Sequence, residues 1–217
     1  MLKALALSAA LVVAPADTTP PADVIIRAAD VSQSSLNGAW TLESDRSCPG
    51  GLKLSATAGE AGAADAPLAA PASYFDASFH AAAGVPYRLW LRLADSSDPS
   101  AGTSVWVQFS DADVGRAPAY AIGSTDGLLV SLDTCAGCRG QGWSWRGSSQ
   151  QLAQHPVVTF RSRGWHRVRV QVRDGAVQLD HIVLSPSTYL KGPPDALGAD
   201  RTPIARERGR EDPWPKW

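Results

Sequence analysis

The chain is a succession of short stretches in which apolar and polar residues alternate, each closed by Gly, Pro, Asp or Ser. Such period-two runs between breakers are the mark of strands joined by turns. The nearest approach to a helix is the Ala-rich segment Ala56 to Ala72, and Gly59, Gly62, Pro67 and Pro71 interrupt it often enough to make it a loop. Three alternations stand out. In Tyr87 to Leu93, Tyr87, Leu89, Leu91 and Leu93 face one way and Arg88, Trp90 and Arg92 the other. In Ser104 to Phe109, Val105, Val107 and Phe109 oppose Trp106 and Gln108. In Arg167 to Arg173, Val168, Val170 and Val172 oppose Arg167, Arg169, Gln171 and Arg173. The pattern predicts an all-β fold, an antiparallel β-sandwich of two sheets.

If these three strands share one sheet, its outer face combines Trp90 and Trp106 with Arg92, Gln108, Arg169 and Gln171. That composition suits a sugar. A pyranose offers one face of C–H bonds to an indole, while its rim of hydroxyls takes donors and acceptors from Arg, Gln, Asp and Asn. The competing reading of Trp90 and Trp106 is a second small core covered by a loop. A further candidate is the segment Leu132 to Gly147, where Asp133, Gln141, Trp143, Trp145 and Arg146 cluster around the pair Cys135 and Cys138. A disulfide between those cysteines would stiffen the loop and lower its ordering cost on binding. Free thiols are the alternative, and Cys48 is left over. Trp143 and Trp145 lie on the same side of an extended stretch, so they serve together or bury together. Trp40, in Asn37-Gly38-Ala39-Trp40, is a similar candidate.

The parts of a catalytic or metal site do not assemble. There is no G-x-S-x-G turn, and His80, His155, His166 and His181 show no metal-ligand spacing. One C-x-x-C lacks a second pair for zinc, and its Gly-rich setting is a loop, not the helix start of a redox motif. Most of the acids, Asp95, Asp98, Asp111, Asp113, Asp126 and Asp133 among them, sit in turn contexts. The expectation is a non-enzymatic domain. With 20 Lys+Arg against 21 Asp+Glu, the net charge of -1 offers no basic stripe for nucleic acid.

Residues 1–16 read as a secretory signal: a positive start at Met1-Leu2-Lys3, an apolar run from Ala4 to Val13, and Ala14-Pro15-Ala16 as a cleavage site. The run is shorter than the roughly 20 residues of a membrane span. A secreted or periplasmic monomer is expected, with a flexible spacer at 17–23, one domain at 24–190, and a Pro-rich, charged, disordered tail at 191–217.

Four segments in order, Ile25 to Ser32 (IIRAADVS), Tyr74 to Leu93 (YFDASFHAAAGVPYRLWLRL), Gly164 to Val172 (GWHRVRVQV) and Gly175 to Pro186 (GAVQLDHIVLSP), resemble the carbohydrate-binding modules of the family 6 and 35 type. The resemblance implies a galactose-binding-like jelly roll over roughly residues 24–186, with a polysaccharide or glycan as partner and a rim loop supplying aromatic side chains. It also implies a structural calcium, held in that family by two glutamates of the first strand and an aspartate of the last. Here the glutamate positions read Arg27 and Ala29, and Asp180 is the one matching ligand, so no cofactor is expected. Arg27 is a candidate ion-pair partner for Asp180. The alternative function is an envelope-structural or protein-interaction sandwich without a sugar ligand.

Overall fold

The structure, a computed structural model, describes residues 21–57, 59, 63, 65–95, 103–132, 142–148, 152 and 154–194. Its strands are β1 (Val24–Arg27), β2 (Leu36–Asn37), β3 (Trp40–Ser44), β4 (Leu52–Ala56), β5 (Tyr74–Ala81), β6 (Tyr87–Asp95), β7 (Ser104–Phe109), β8 (Ala112–Val114), β9 (Ala117–Pro118), β10 (Leu128–Ser131), β11 (Ser144–Arg146), β12 (Val157–Phe160), β13 (Gly164–Asp174) and β14 (Val177–Ser185). Two short 3-10 turns are the only helical pieces among the described residues, and none of these residues forms a helix long and apolar enough to cross a membrane.

The strands form two antiparallel sheets. One runs β3-β4-β14-β6-β12-β8-β9, with β1 added beside β14 and β11 beside β6; the other runs β10-β7-β13-β5-β2. Successive long strands lie in opposite sheets, as β5, β6 and β7 do, and as β12, β13 and β14 do again. The chain therefore laces the two layers together, and the apolar sides of the long strands close on one shared interior. The tight link from β13 to β14 is made at Gly175, whose φ of 61° is a backbone state that other residues adopt only under strain.

The alternating residues expected inside are inside. Leu89, Leu91 and Leu93 of β6, Val105, Val107 and Phe109 of β7, and Val168, Val170 and Val172 of β13 join a single buried cluster with Phe75, Phe79 and Phe160. Trp40 belongs to this core too, packed edge-on against Phe75 with ring centroids 4.8 Å apart.

One expectation is corrected by the topology. The three strands do not share a sheet: β6 lies in the larger layer, β7 and β13 in the smaller. Trp90 and Arg92 therefore look out from one side of the sandwich, and Trp106, Gln108, Arg169 and Gln171 from the other. Alternation sets which side of a strand a residue occupies, but the layer is set by the connections, which periodicity does not encode.

Candidate functional site

The outer face of the five-stranded sheet is divided along its strands into a covered end and an open one. At the covered end, Trp106 is 3% exposed and its Nε1 donates to the Ala63 carbonyl at 2.7 Å. Gln108 Nε2 lies within 2.9–3.0 Å of the carbonyls of Ala121, Ser124 and Asp126. Gln171 donates to Gln108 Oε1 at 2.8 Å and to the Leu68 carbonyl at 3.1 Å, and accepts from the Leu68 amide at 3.0 Å. These side chains staple two loops onto the sheet, and their hydrogen-bonding capacity goes to backbone that would otherwise be buried unpaired. In this arrangement Trp106 and Gln108 form no platform for a ligand. Arg169, half-buried, makes a two-pronged bond to Asp76 (2.8 and 2.9 Å) and lies 3.7 Å over the Tyr74 ring.

The outer face of the nine-stranded sheet is also covered where the sequence placed its candidates. Trp90 and Trp145, at 6% and 5% exposure, pack with Val183 into a second small core. The Trp90 Nε1 donates to the Tyr189 carbonyl at 2.8 Å, and Arg88 lies 4.7 Å over its ring. Trp145 is turned toward His181, with centroids 5.8 Å apart. Arg146 Nη1 donates to the Trp145 carbonyl at 3.0 Å, and burial draws its pKa down from the usual guanidinium value. Trp143 alone of the rim-loop indoles is half-exposed. Its ring receives the Arg92 guanidinium at 5.0 Å, and its Nε1 lies 3.4 Å from Ser47 Oγ. Asp133, Gln141, Cys135 and Cys138 lie outside the described residues; Cys48 is a free, buried thiol.

Beneath Trp143 sits a buried charge pair. Strand β14 carries a bulge between Leu179 and His181. The extra residue lets Leu179 and Ile182 both reach the core while Asp180 meets Arg92 from the neighbouring strand. The His181 Nδ1 is 3.0 Å from the same carboxylate oxygen, and Asp180 Oδ1 has no partner among the described residues. Burial, and next the Asp180 charge, push the Cys48 thiol up to about 12. Asp180 is the one residue matching the calcium ligands that the resemblance implies, and its surroundings do not fit that ion: the Arg92 guanidinium already answers its carboxylate, and Arg27 stands in register with His181 across β1 and β14. The partner of Asp180 is thus Arg92 and not the candidate Arg27.

The open end of the smaller sheet holds what the sequence reading missed. Trp165 on β13 is 61% exposed. It stands opposite His80 of β5, their rings edge-on at 6.1 Å, and Arg167 stands opposite Ser78. Ser110 closes the other flank: its amide donates to the Arg167 carbonyl at 2.9 Å, and its Oγ accepts from the Arg167 amide at 3.1 Å. Together Ser78, Ser110, Trp165, His166 and Arg167 line an open depression of about 300 Å³. Its floor is rigid. His166 is buried against Phe160 (4.4 Å) and its Nδ1 lies 2.7 Å from Asp111, which also accepts from Ser110 Oγ at 2.6 Å. The signal for Trp165 was present, since it lies two residues before Arg167 and so shares the outward parity of Arg167, Arg169 and Gln171.

No protein-family model matches this sequence, and no curated protein does. Among solved structures, the chain is similar to a GH26-CBM35 β-(1,4)-mannanase from Podospora anserina, at 14% identity and a TM-score of 0.46, over 77% of this chain and 28% of that one. It is similar to the C-terminal CBM6 of a marine laminarinase from Zobellia galactanivorans, at 14% identity and a TM-score of 0.43, over 75% of this chain and 98% of the module. It is similar also to the mosquito-larvicidal Cry4Aa toxin from Bacillus thuringiensis, at 13% identity and a TM-score of 0.48, over 77% of this chain and 24% of the toxin. Likeness at this level concerns architecture and not activity. The domain is a two-sheet antiparallel β-sandwich similar in fold to modules of the CBM6 and CBM35 type.

Proposed function

We propose that this domain binds a carbohydrate without transforming it, outside the cytoplasm and as a monomer, with the sugar ring resting on Trp165. The observation that carries this reading is the exposed indole on a firm sheet, ringed by His80, Ser78, Ser110 and Arg167. An indole face takes the C–H face of a pyranose, and the flanking hydroxyls and guanidinium answer its hydroxyl rim. The carboxylates nearest the depression are engaged: Asp76 holds Arg169, and Asp111 holds Ser110 and His166. Such a site favours holding over acid–base chemistry. A single sugar buries little area, so binding is weak and gains from repetition along a polymer.

Affinity electrophoresis against plant, bacterial and algal polysaccharides tests the proposal. Retardation by at least one polymer, lost in Trp165→Ala and kept in Trp143→Ala, is the expected result. Loss in Trp143→Ala alone would move the site to the rim loop. No retardation by any polymer would favour the alternative of a structural or protein-binding sandwich, a reading supported by the burial of Trp40, Trp90, Trp106 and Trp145.

A further inference from the structure

The open face carries an unbalanced positive charge beside its indole. Arg167 is half-exposed, and the nearest carboxylate oxygen, on Asp76, is 3.8 Å away. That carboxylate already accepts two bonds from Arg169, at 2.8 and 2.9 Å. Arg161, at the start of the adjoining β12–β13 turn, is committed to Asp113 through bonds of 2.7 Å from Nε and from Nη2. Asp111 is turned to Ser110 and His166. Arg167 is therefore a cation in excess beside Trp165, counted over the described residues. It lies on the same strand and face as Trp165, where neighbours stand about 6.6–6.8 Å apart. That span matches a stacked sugar ring, an acidic group bonded just beyond its edge, and a hydrogen bond to the guanidinium.

Resting on the reading of Trp165 as a stacking face, we infer that the site selects an anionic sugar, its carboxylate or sulfate ester held by Arg167 and its neighbouring hydroxyls by Ser78 and Ser110. The planar fork of an arginine matches the paired oxygens of either acid group, and such charge-assisted bonds are stronger than neutral ones. With a chain net charge of -1, general attraction of the protein to polyanions does not supply this preference.

The test measures retention on two matched pairs of polymers: polygalacturonate with its methyl ester, and a carrageenan with its desulfated form. The expected result is retention on an acidic member, falling roughly 10-fold or more on its neutral counterpart and in Arg167→Ala. Arg167→Lys should restore it in part, and Arg116→Ala, on another turn, should leave it unchanged. The pair that discriminates identifies the acid as carboxylate or sulfate. Equal retention on acidic and neutral members, unchanged in Arg167→Ala but lost in Trp165→Ala, overturns the charge selection and leaves the platform standing. Retention that survives Trp165→Ala overturns both.

Discussion

Replacing Arg92 by Met isolates the cost of the charge buried under the rim of the larger sheet. The Arg92 and Asp180 side chains are 4% and 0% exposed, and the His181 imidazole and the Trp143 ring lie against the pair. Removing one member of such a pair leaves the other charged and dry, which costs roughly 3–5 kcal/mol. For a domain of this size each kcal/mol moves the midpoint by about 2–4 °C, so the melting temperature should drop by roughly 6–20 °C. Asp180→Leu should cost a similar amount. The double variant, which removes both charges, should recover most of the loss, giving a coupling energy of about 2 kcal/mol or more. Thermal and urea unfolding, followed by circular dichroism with and without 1 M salt, checks this. The coupling should persist in salt, because a buried pair is screened far less than a surface one. The same melts in calcium and in a chelator should coincide, since the Arg92 guanidinium already neutralises the Asp180 carboxylate. Single-variant losses below about 1 kcal/mol, or a midpoint raised by calcium, would mean that Arg92 and Asp180 do not form a buried, mutually dependent pair.

Two further outcomes follow from burial. Trp106→Ala should destabilise the domain by roughly 3–5 kcal/mol, because it empties a covered site and orphans the Ala63 carbonyl, whereas Trp165→Ala should stay within about 0.5 kcal/mol; urea titration of the two variants decides it. Cys48 should resist iodoacetamide at pH 8 in the folded protein and react on unfolding. Its thiol, raised to about 12, carries almost no thiolate there, while an unfolded cysteine near its ordinary value ionises in part; peptide mapping of the alkylated protein reads this directly.

Much of the interior was legible because period two is a local property. Leu89, Leu91 and Leu93, or Val168, Val170 and Val172, point inward wherever their strands end up. The breakers in Ala56 to Ala72 likewise identified a loop, and its Ala63 and Leu68 carbonyls now receive Trp106 and Gln171. The outward side was harder, since facing away from the core does not mean facing water. Whether Trp90 and Trp106 are open depends on which loops fold back over them, and those contacts join residues far apart in sequence. The Trp90 ring meets the Tyr189 carbonyl 99 positions away, and Arg92 finds Asp180 across 88. The bulge at Asp180 hid itself in another way, by breaking the alternation that would have revealed its orientation. Trp165 is legible by the same rule, one step of the alternation before Arg167.

Whether the smaller sheet presents a sugar-stacking indole is read out by two-dimensional 15N–1H NMR of the tryptophan indole groups. The titrant is a short oligosaccharide of whichever polymer retards the protein, and the Trp165 signal is assigned with Trp165→Phe. This signal should move saturably while those of Trp90, Trp106 and Trp145 stay fixed. A Trp165 signal that stays still while the Trp143 signal moves would contradict it.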